Sequence, residues 1–244
     1  MPIILPGPIP AQPTTLQTFI ADLCLELGLT APNRIVGSAD PQILQMLALS
    51  NRLGNDLVRE YEWQQLTVVA NITTVSGQVR YQLPNDWNRQ IPQTEWNRST
   101  HWPMIGPLSS QSWETFKGSY VSACVETLFR IQGGDVVLLN APPDGETLAF
   151  EYISKNWVVG PSGEHYNRFL SDEDTFLFDE NLMKEGLKLR WRKAKGLPYD
   201  DEDYKRLLEA CKGQNKSAPA LRLSSTLGRR FLNNCNIPDG NWNA

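Results

Sequence analysis

Apolar residues at helical spacing predict a helix at the start of the chain. The helix begins at Thr14 or Thr15, where a hydroxyl can accept hydrogen bonds from free backbone amides. Gly28 can end it, because glycine adopts the left-handed conformation common after the last turn. The apolar positions that define its buried face are Leu16, Phe19, Ile20, Leu23 and Leu27.

A second, longer helix is predicted from Asp40 to about Trp63. Asp40 is followed by Pro41, and this pair favours a helix start, since the carboxylate caps the first amides and proline there loses no hydrogen bond. Gly54 lies on the apolar stripe of this helix. We expect a neighbouring segment to approach the helix closely at that glycine.

After the second helix, the apolar residues alternate as they do in strands. Residues 66–72 and 79–83 flank a turn at Ser76-Gly77, and a hairpin is the simplest prediction for them. Residues 85–116 have no regular spacing and predict a long irregular loop rich in tryptophan.

Order returns with three strand-like runs, which predict an antiparallel meander. They are residues 127–132, 135–139 and 147–154, separated by turns at Gly133-Gly134 and at residues 142–145. Helical spacing follows at residues 178–194 and 200–213, and the periodicity is lost after that.

These patterns predict an α+β protein with a helical bundle of about four helices, an inserted antiparallel β domain and an extended C-terminal arm. Helices far apart in sequence must pack together, because the β region separates them. The predicted domains are an N-terminal arm at 1–13, a discontinuous helical domain at 14–63 and 170–213, a β-rich domain at 64–169, and the C-terminal arm at 214–244.

Composition narrows the possible functions. The chain has 244 residues and a net charge of −4, which argues against nucleic-acid binding over the whole surface. Its four cysteines lack the spacing of a metal site and predict free thiols in a reducing compartment. Prolines interrupt residues 1–13, which fits neither a signal peptide nor a membrane helix.

No catalytic, metal-binding or cofactor-binding site is predicted. His101 and His165 lie in no nucleophile or triad motif, and the chain has no glycine-rich phosphate loop. Asp172, Glu173, Asp174, Asp179 and Glu180 form an acidic cluster that lacks the spacing of a calcium loop. We expect these acids to satisfy amides at the start of the third predicted helix.

Two groups of residues are candidates for contacts between copies or with a tail protein. Lys188, Arg192 and Lys195 share a face of the third helix, which is either a solvated face or a surface that pairs with DNA phosphate or with acids such as Asp172 and Asp174. The second group consists of Trp96, Trp102 and Trp113, which either fix irregular backbone or line an interface.

The C-terminal arm contains apolar residues and arginines spaced by small polar residues. They are Arg222, Arg229, Arg230, Phe231, Ile237 and Trp242. The arm is either a solvated tail or a segment that becomes ordered on a partner, and its length and composition favour the second interpretation.

Short motifs along most of the chain support one family. They are Asn51 and residues 60–66, 81–87, 129–131, 141–143, 150–154, 169–174 and 189–192. In these motifs the chain resembles the head-to-tail adaptor proteins of short-tailed phages, also called connector or tail tubular proteins.

The resemblance implies a structural virion protein that is assembled in the host cytoplasm. It implies a dodecameric ring beneath the portal and above the tail nozzle, around a channel through which DNA passes without sequence-specific binding. Neither a membrane nor a cofactor is expected. In this interpretation, the arm residues contact the portal, and the lysine, arginine, aspartate and tryptophan candidates contact other copies or the tail.

Two other functions are compatible with the sequence. A cell-wall glycosidase would use acids such as Glu164 and Asp172, with Trp157 stacking on a sugar. A carbohydrate-binding tail component would bind glycans through exposed tryptophans instead.

Overall fold

A computed structural model of the protein describes residues 14–118 and 127–215. Within those ranges the chain forms five α-helices and eleven short strands, and the strands pair antiparallel. The predicted α+β class is therefore confirmed. No helix in these ranges is both long and apolar enough to span a bilayer.

The helices are α1 (Leu16–Glu26), α2 (Pro41–Glu60), α3 (Ser110–Gly118), α4 (Glu180–Ala194) and α5 (Glu202–Asn215), and a short 3-10 helix covers Gln64–Leu66. The strands are β1 (Thr67–Thr73), β2 (Arg80–Gln82), β3 (Trp87–Gln90), β4 (Trp96–Asn97), β5 (Trp102–Pro103), β6 (Phe129–Gln132), β7 (Asp135–Leu138), β8 (Thr147–Ser154), β9 (Val158–Val159), β10 (His165–Tyr166) and β11 (Thr175–Phe176).

The first two helices begin where the sequence predicts. Thr15 caps α1, and its hydroxyl accepts from the amide of Thr18 at 3.3 Å. Asp40 caps α2 by accepting from the amide of Gln42 at 2.8 Å, with Pro41 as the first helical residue. These local signals suffice because each cap involves residues only a few positions apart.

The described chain divides into two compact units. The helical unit comprises residues 14–70, 83–94 and 150–215, and the β-rich unit comprises 71–82, 95–118 and 127–149. Residues 64–70, 83–94 and 150–169 group with the helices by their contacts.

The core of the helical unit is formed around the contact between α2 and Trp157. A Cβ atom added at Gly54 would lie 2.2 Å from the Trp157 ring, so the predicted close approach at this glycine is confirmed. The Trp157 side chain is fully buried, and its indole N–H donates to Asn55 and to the backbone of Asn167, each at 3.1 Å.

Arg89 on β3 binds the end of α2. Its guanidinium donates to the carbonyls of Val58 and Arg59, both at 3.1 Å, and to that of Tyr61. These carbonyls have no partner within the helix, so the arginine satisfies acceptors that the helix end leaves open.

In the β-rich unit, the hairpin between β6 and β7 is confirmed. Gly133 and Gly134 form its turn with φ of 65° and 88°. The predicted hairpin between residues 66–72 and 79–83 is wrong, since β2 pairs with β7 and not with β1. The Tyr81 hydroxyl donates back to carbonyls of the preceding turn, and the backbone of β2 bonds to the distant strand.

The predicted three-strand meander is also wrong in its last step. Strand β8 is hydrogen-bonded to β1, β3 and β4, and not to β7. The turn before β8 is held by Thr74, whose hydroxyl donates to the carbonyl of Pro143 at 2.7 Å and accepts from the amide of Glu146 at 2.9 Å. These hydrogen bonds hold the turn before β8 beside Thr74, so β8 begins there and does not pair with β7.

The segment predicted as an irregular loop at 85–116 contains regular structure. It includes β3, the paired strands β4 and β5, and most of α3. Side chains cap these short elements: Asn97 accepts from the amides of Ser99 and Thr100, and Ser109 accepts from the amide of Ser112. Elements this short leave little periodicity in a sequence.

Candidate functional site

The two predicted acidic contact residues accept hydrogen bonds from backbone amides of the helical unit. Asp172 accepts from the amides of Ile35 and Val36 at 3.1 and 2.7 Å. Asp174 is 1% exposed and accepts from the amides of Leu170 and Ser171. The expectation that the acidic cluster satisfies the start of the third predicted helix is therefore wrong for these two acids.

The same expectation is confirmed for Asp179, which caps that helix, α4: its carboxylate accepts from the amide of Leu182 at 2.9 Å. Asp179 is the residue immediately before the helix, the position from which a side chain reaches the free amides. Asp172 and Asp174 lie too early in the chain for this role.

The predicted basic residues on α4 differ in their surroundings. Lys188 forms ion pairs with Glu26 of α1 and with Glu185, the latter at 2.8 Å. Arg192 and Lys195 lie exposed at the end of the helix, and the Lys195 ammonium is 5.7 Å from the centre of the Trp191 ring. Arg192 and Lys195 are therefore accessible to another molecule.

The three tryptophan candidates lie in the β-rich unit. Trp102 on β5 is 45% exposed, whereas Trp96 on β4 is partly buried. Trp113 is buried, and the Arg130 guanidinium lies 4.5 Å from its ring centre. Trp102 is thus the best placed of the three to contact another molecule.

The six arm candidates from Arg222 to Trp242 lie outside the described residues, as do residues 1–13. Their predicted contacts with a portal stay predictions.

Sequence reasoning missed a cleft of about 540 Å³ between α2, α4 and α5. Arg52 and Asp56 of α2, Arg190 and Lys193 of α4, and Tyr204 of α5 line it, together with three aliphatic side chains. Arg190 donates to Asp56 at 2.7 Å, while Arg52 lies 4.0 Å from the same carboxylate. Burial raises the pKa of the Tyr204 hydroxyl, and the Glu60 carboxylate raises it further.

The contact between α1 and α4 contains a second group of charges. Lys184 of α4 forms ion pairs with Glu180 at 2.7 Å and with Asp22 of α1 at 3.3 Å. Its hydrogen bond to Glu180 raises the pKa of Lys184. The hydrogen bonds that Lys184 and Thr14 donate to Glu180 lower the pKa of that carboxyl.

The cleft and the exposed charged residues provide groups that can bind a partner. Both histidines are exposed, and within the described residues no three His, Cys, Asp or Glu side chains are arranged to hold a metal ion. The cleft presents three cations and one carboxylate beside aliphatic surface. Such a surface is suited to a partner with acidic and apolar groups.

The chain matches a model of a known protein family. The model of the SU10 adaptor protein family matches residues 14–218, which include both compact units. No curated protein matches the chain.

Proposed function

Because this chain belongs to the SU10 adaptor protein family, we propose that it forms the ring that joins the portal of a phage head to the tail nozzle, around the DNA channel. Membership identifies a phage adaptor, a structural protein of the virion at the junction of head and tail. The ring, its place between portal and nozzle and its passage of DNA are the proposed parts.

The family match over residues 14–218 is the observation that carries the proposal. A closed ring requires two different surfaces on each copy that meet head to tail after a fixed rotation. In the proposal, the helices provide most of these contacts and twelve copies close the ring. DNA passes through without sequence-specific contacts.

The C-terminal arm is the proposed link to the portal. The family match ends at residue 218, so most of the arm lies beyond it. A single arm with a few apolar and arginine contacts would bind weakly, but many arms held on one ring act at high effective concentration. Attachment to the portal therefore depends on the arm and on ring formation together.

Deleting residues 214–244 tests this link. We expect a folded protein that no longer joins portal-bearing heads, measured by co-sedimentation with heads that lack tails. The full chain is the control. Undiminished attachment of the truncated protein would contradict the role of the arm.

Replacing Arg229 and Arg230 with Glu is a finer test of the same link. An unchanged affinity for the portal would transfer the proposed contact to the tryptophan candidates of the β-rich unit, with Trp102 as the first residue to replace. In that outcome the arginines have no part in attachment.

The structure offers no geometry in favour of the glycosidase alternative. Trp157 is fully buried and so cannot stack on a sugar. Asp172 is engaged with two backbone amides, and Glu164 accepts from the Tyr166 hydroxyl at 3.1 Å.

The carbohydrate-binding alternative requires exposed tryptophans. Trp102 alone among the three tryptophan candidates is well exposed, which is little surface for a glycan.

A further inference from the structure

Helix α4 separates two charged surfaces of the helical unit. Lys184 faces α1, whereas Lys193 lines the cleft shared with α2 and α5. The two lysines are nine positions apart, and at about 100° per residue they project roughly 180° apart around the helix. One helix therefore presents one surface on each of two opposite flanks.

The flank toward α1, here called the acidic flank, carries net negative charge. It comprises Asp22, Glu26, Glu180 and Glu185 around Lys184 and Lys188. Two ammonium groups against four carboxylates leave a net charge of −2. The carboxylate side chains are 34 to 46% exposed, so each can reach a partner as well as its own lysine.

The cleft on the other flank, here called the basic cleft, carries net positive charge. Arg52, Arg190 and Lys193 surround the single carboxylate of Asp56, which leaves a net charge of +2. Arg52 is 76% exposed, and Lys193 is also exposed. Three aliphatic side chains, Leu49, Leu189 and Ala194, complete the lining.

An exposed leucine beside the acidic flank matches this aliphatic lining. Leu25 of α1 is 66% exposed, the highest value among the large exposed hydrophobic residues of the described chain. It lies three positions after Asp22, so the two side chains occupy neighbouring places on the helix surface. The acidic flank therefore combines carboxylates with an apolar side chain.

We propose that the acidic flank of one copy binds the basic cleft of the next copy, with Leu25 against the aliphatic lining. This rests on the proposed ring. Opposite charges on opposite flanks favour a head-to-tail contact between different surfaces, and they disfavour a two-fold dimer in which each surface meets itself. Arg192 and Lys195 follow Lys188 on the same helical face, at the end of α4, and are not counted in the acidic flank.

Two charge-reversed variants of the full chain test the proposal. Arg52→Glu with Lys193→Glu changes the basic cleft from +2 to −2, since two cations become anions. Asp22→Lys with Glu26→Lys changes the acidic flank from −2 to +2, and each native lysine keeps one acidic partner, Glu180 or Glu185. Lys117→Glu, at an exposed position of α3 in the β-rich unit, changes the net charge by −2 outside both surfaces and is the control for a charge reversal elsewhere.

The association of each protein is measured by sedimentation velocity, alone and on portal-bearing heads. We expect each reversed variant alone to associate at least tenfold more weakly than the wild-type chain, because both of its surfaces carry the same sign. We expect an equimolar mixture of the two to associate like the wild type, since each reversed surface then meets its complement. The Lys117→Glu control should match the wild type.

The outcomes separate this contact from the proposed function. If the wild type forms rings and both reversed variants form them equally well, the contact is wrong while the adaptor function stands. If both variants fail and the mixture also fails, the pairing of these two surfaces is wrong. If the wild type stays monomeric even on portal-bearing heads, the ring itself is overturned.

Thermal unfolding of each variant shows whether it folds. Should the lysine variant unfold, Asp22→Asn with Glu26→Gln removes the two charges without reversing them. That neutral variant should still associate several-fold more weakly than the wild type. Association equal to the wild type would overturn the role of the acidic flank.

Discussion

Single residues of α2 hold the segment that carries Trp157 and Phe169. The Asn51 side chain accepts from the amide of Phe169 at 2.9 Å, and Asn55, one turn later, accepts from the Trp157 indole. Gly54 between them leaves the space that the indole ring occupies. Each of the three residues thus helps to hold this segment against α2.

Replacing Gly54 with Ala should destabilise the protein. The new methyl group would overlap the Trp157 ring, and overpacking a core costs about 1–3 kcal/mol. The better helix propensity of alanine offsets up to about 1 kcal/mol of this. Chemical denaturation should therefore show a lower free energy of unfolding.

The matched control is Gly213→Ala in α5, where an added Cβ meets nothing within 4 Å. This change should leave stability equal or raise it by up to about 1 kcal/mol. Equal effects of the two substitutions would contradict the close packing at Gly54.

At the scale of elements, local signals were predictable and distant pairings were not. The cap at Asp40 and the turn at Gly133-Gly134 each depend on neighbouring residues, so the sequence indicated both. The partner of β2 is β7, more than fifty residues later. Alternating apolar residues indicate which face of a strand is buried, but they do not indicate which strand pairs with it.

The candidate site follows the same rule. The basic residues at the end of α4 were visible as a cluster, but the Arg190 partner Asp56 lies 134 positions away in sequence. Arg52 and Asp56 have only the spacing of an ordinary surface pair on a helix. The cleft forms where three helices pack together. Its lining residues are far apart in sequence, so no single segment reveals it.

The contact between α1 and α4 should contribute a pH-dependent stability. The pKa of Glu180 is lowered by hydrogen bonds from Lys184 and Thr14, so the folded state binds a proton less readily than the unfolded state. The stabilisation is complete above the unfolded pKa of about 4.3 and is lost as the pH falls through the lower folded pKa.

Replacing Glu180 with Gln should therefore lower the free energy of unfolding at pH 7 by less than about 1 kcal/mol, since the side chain is 37% exposed. The difference from the wild type should shrink as the pH falls below about 4.3, the pKa of the unfolded carboxyl. Urea denaturation across this range is the measurement, with Glu173→Gln as the control at an exposed site. A difference that grows as the pH falls would contradict the assignment.

The whole molecule is a component of a larger particle. Family membership identifies a phage adaptor, and the helical unit presents oppositely charged flanks that suit a repeated contact between copies. A weak contact of this kind becomes stable when a ring closes, because releasing a copy from the ring requires both of its contacts to break.

The most direct test is an electron-microscope image of the purified protein mixed with portal-bearing heads. The account predicts a closed ring of identical copies, twelve in the proposal, seated at the portal with an open central channel. Single copies scattered in solution, or heads whose portal stays bare at saturating protein concentration, would contradict it.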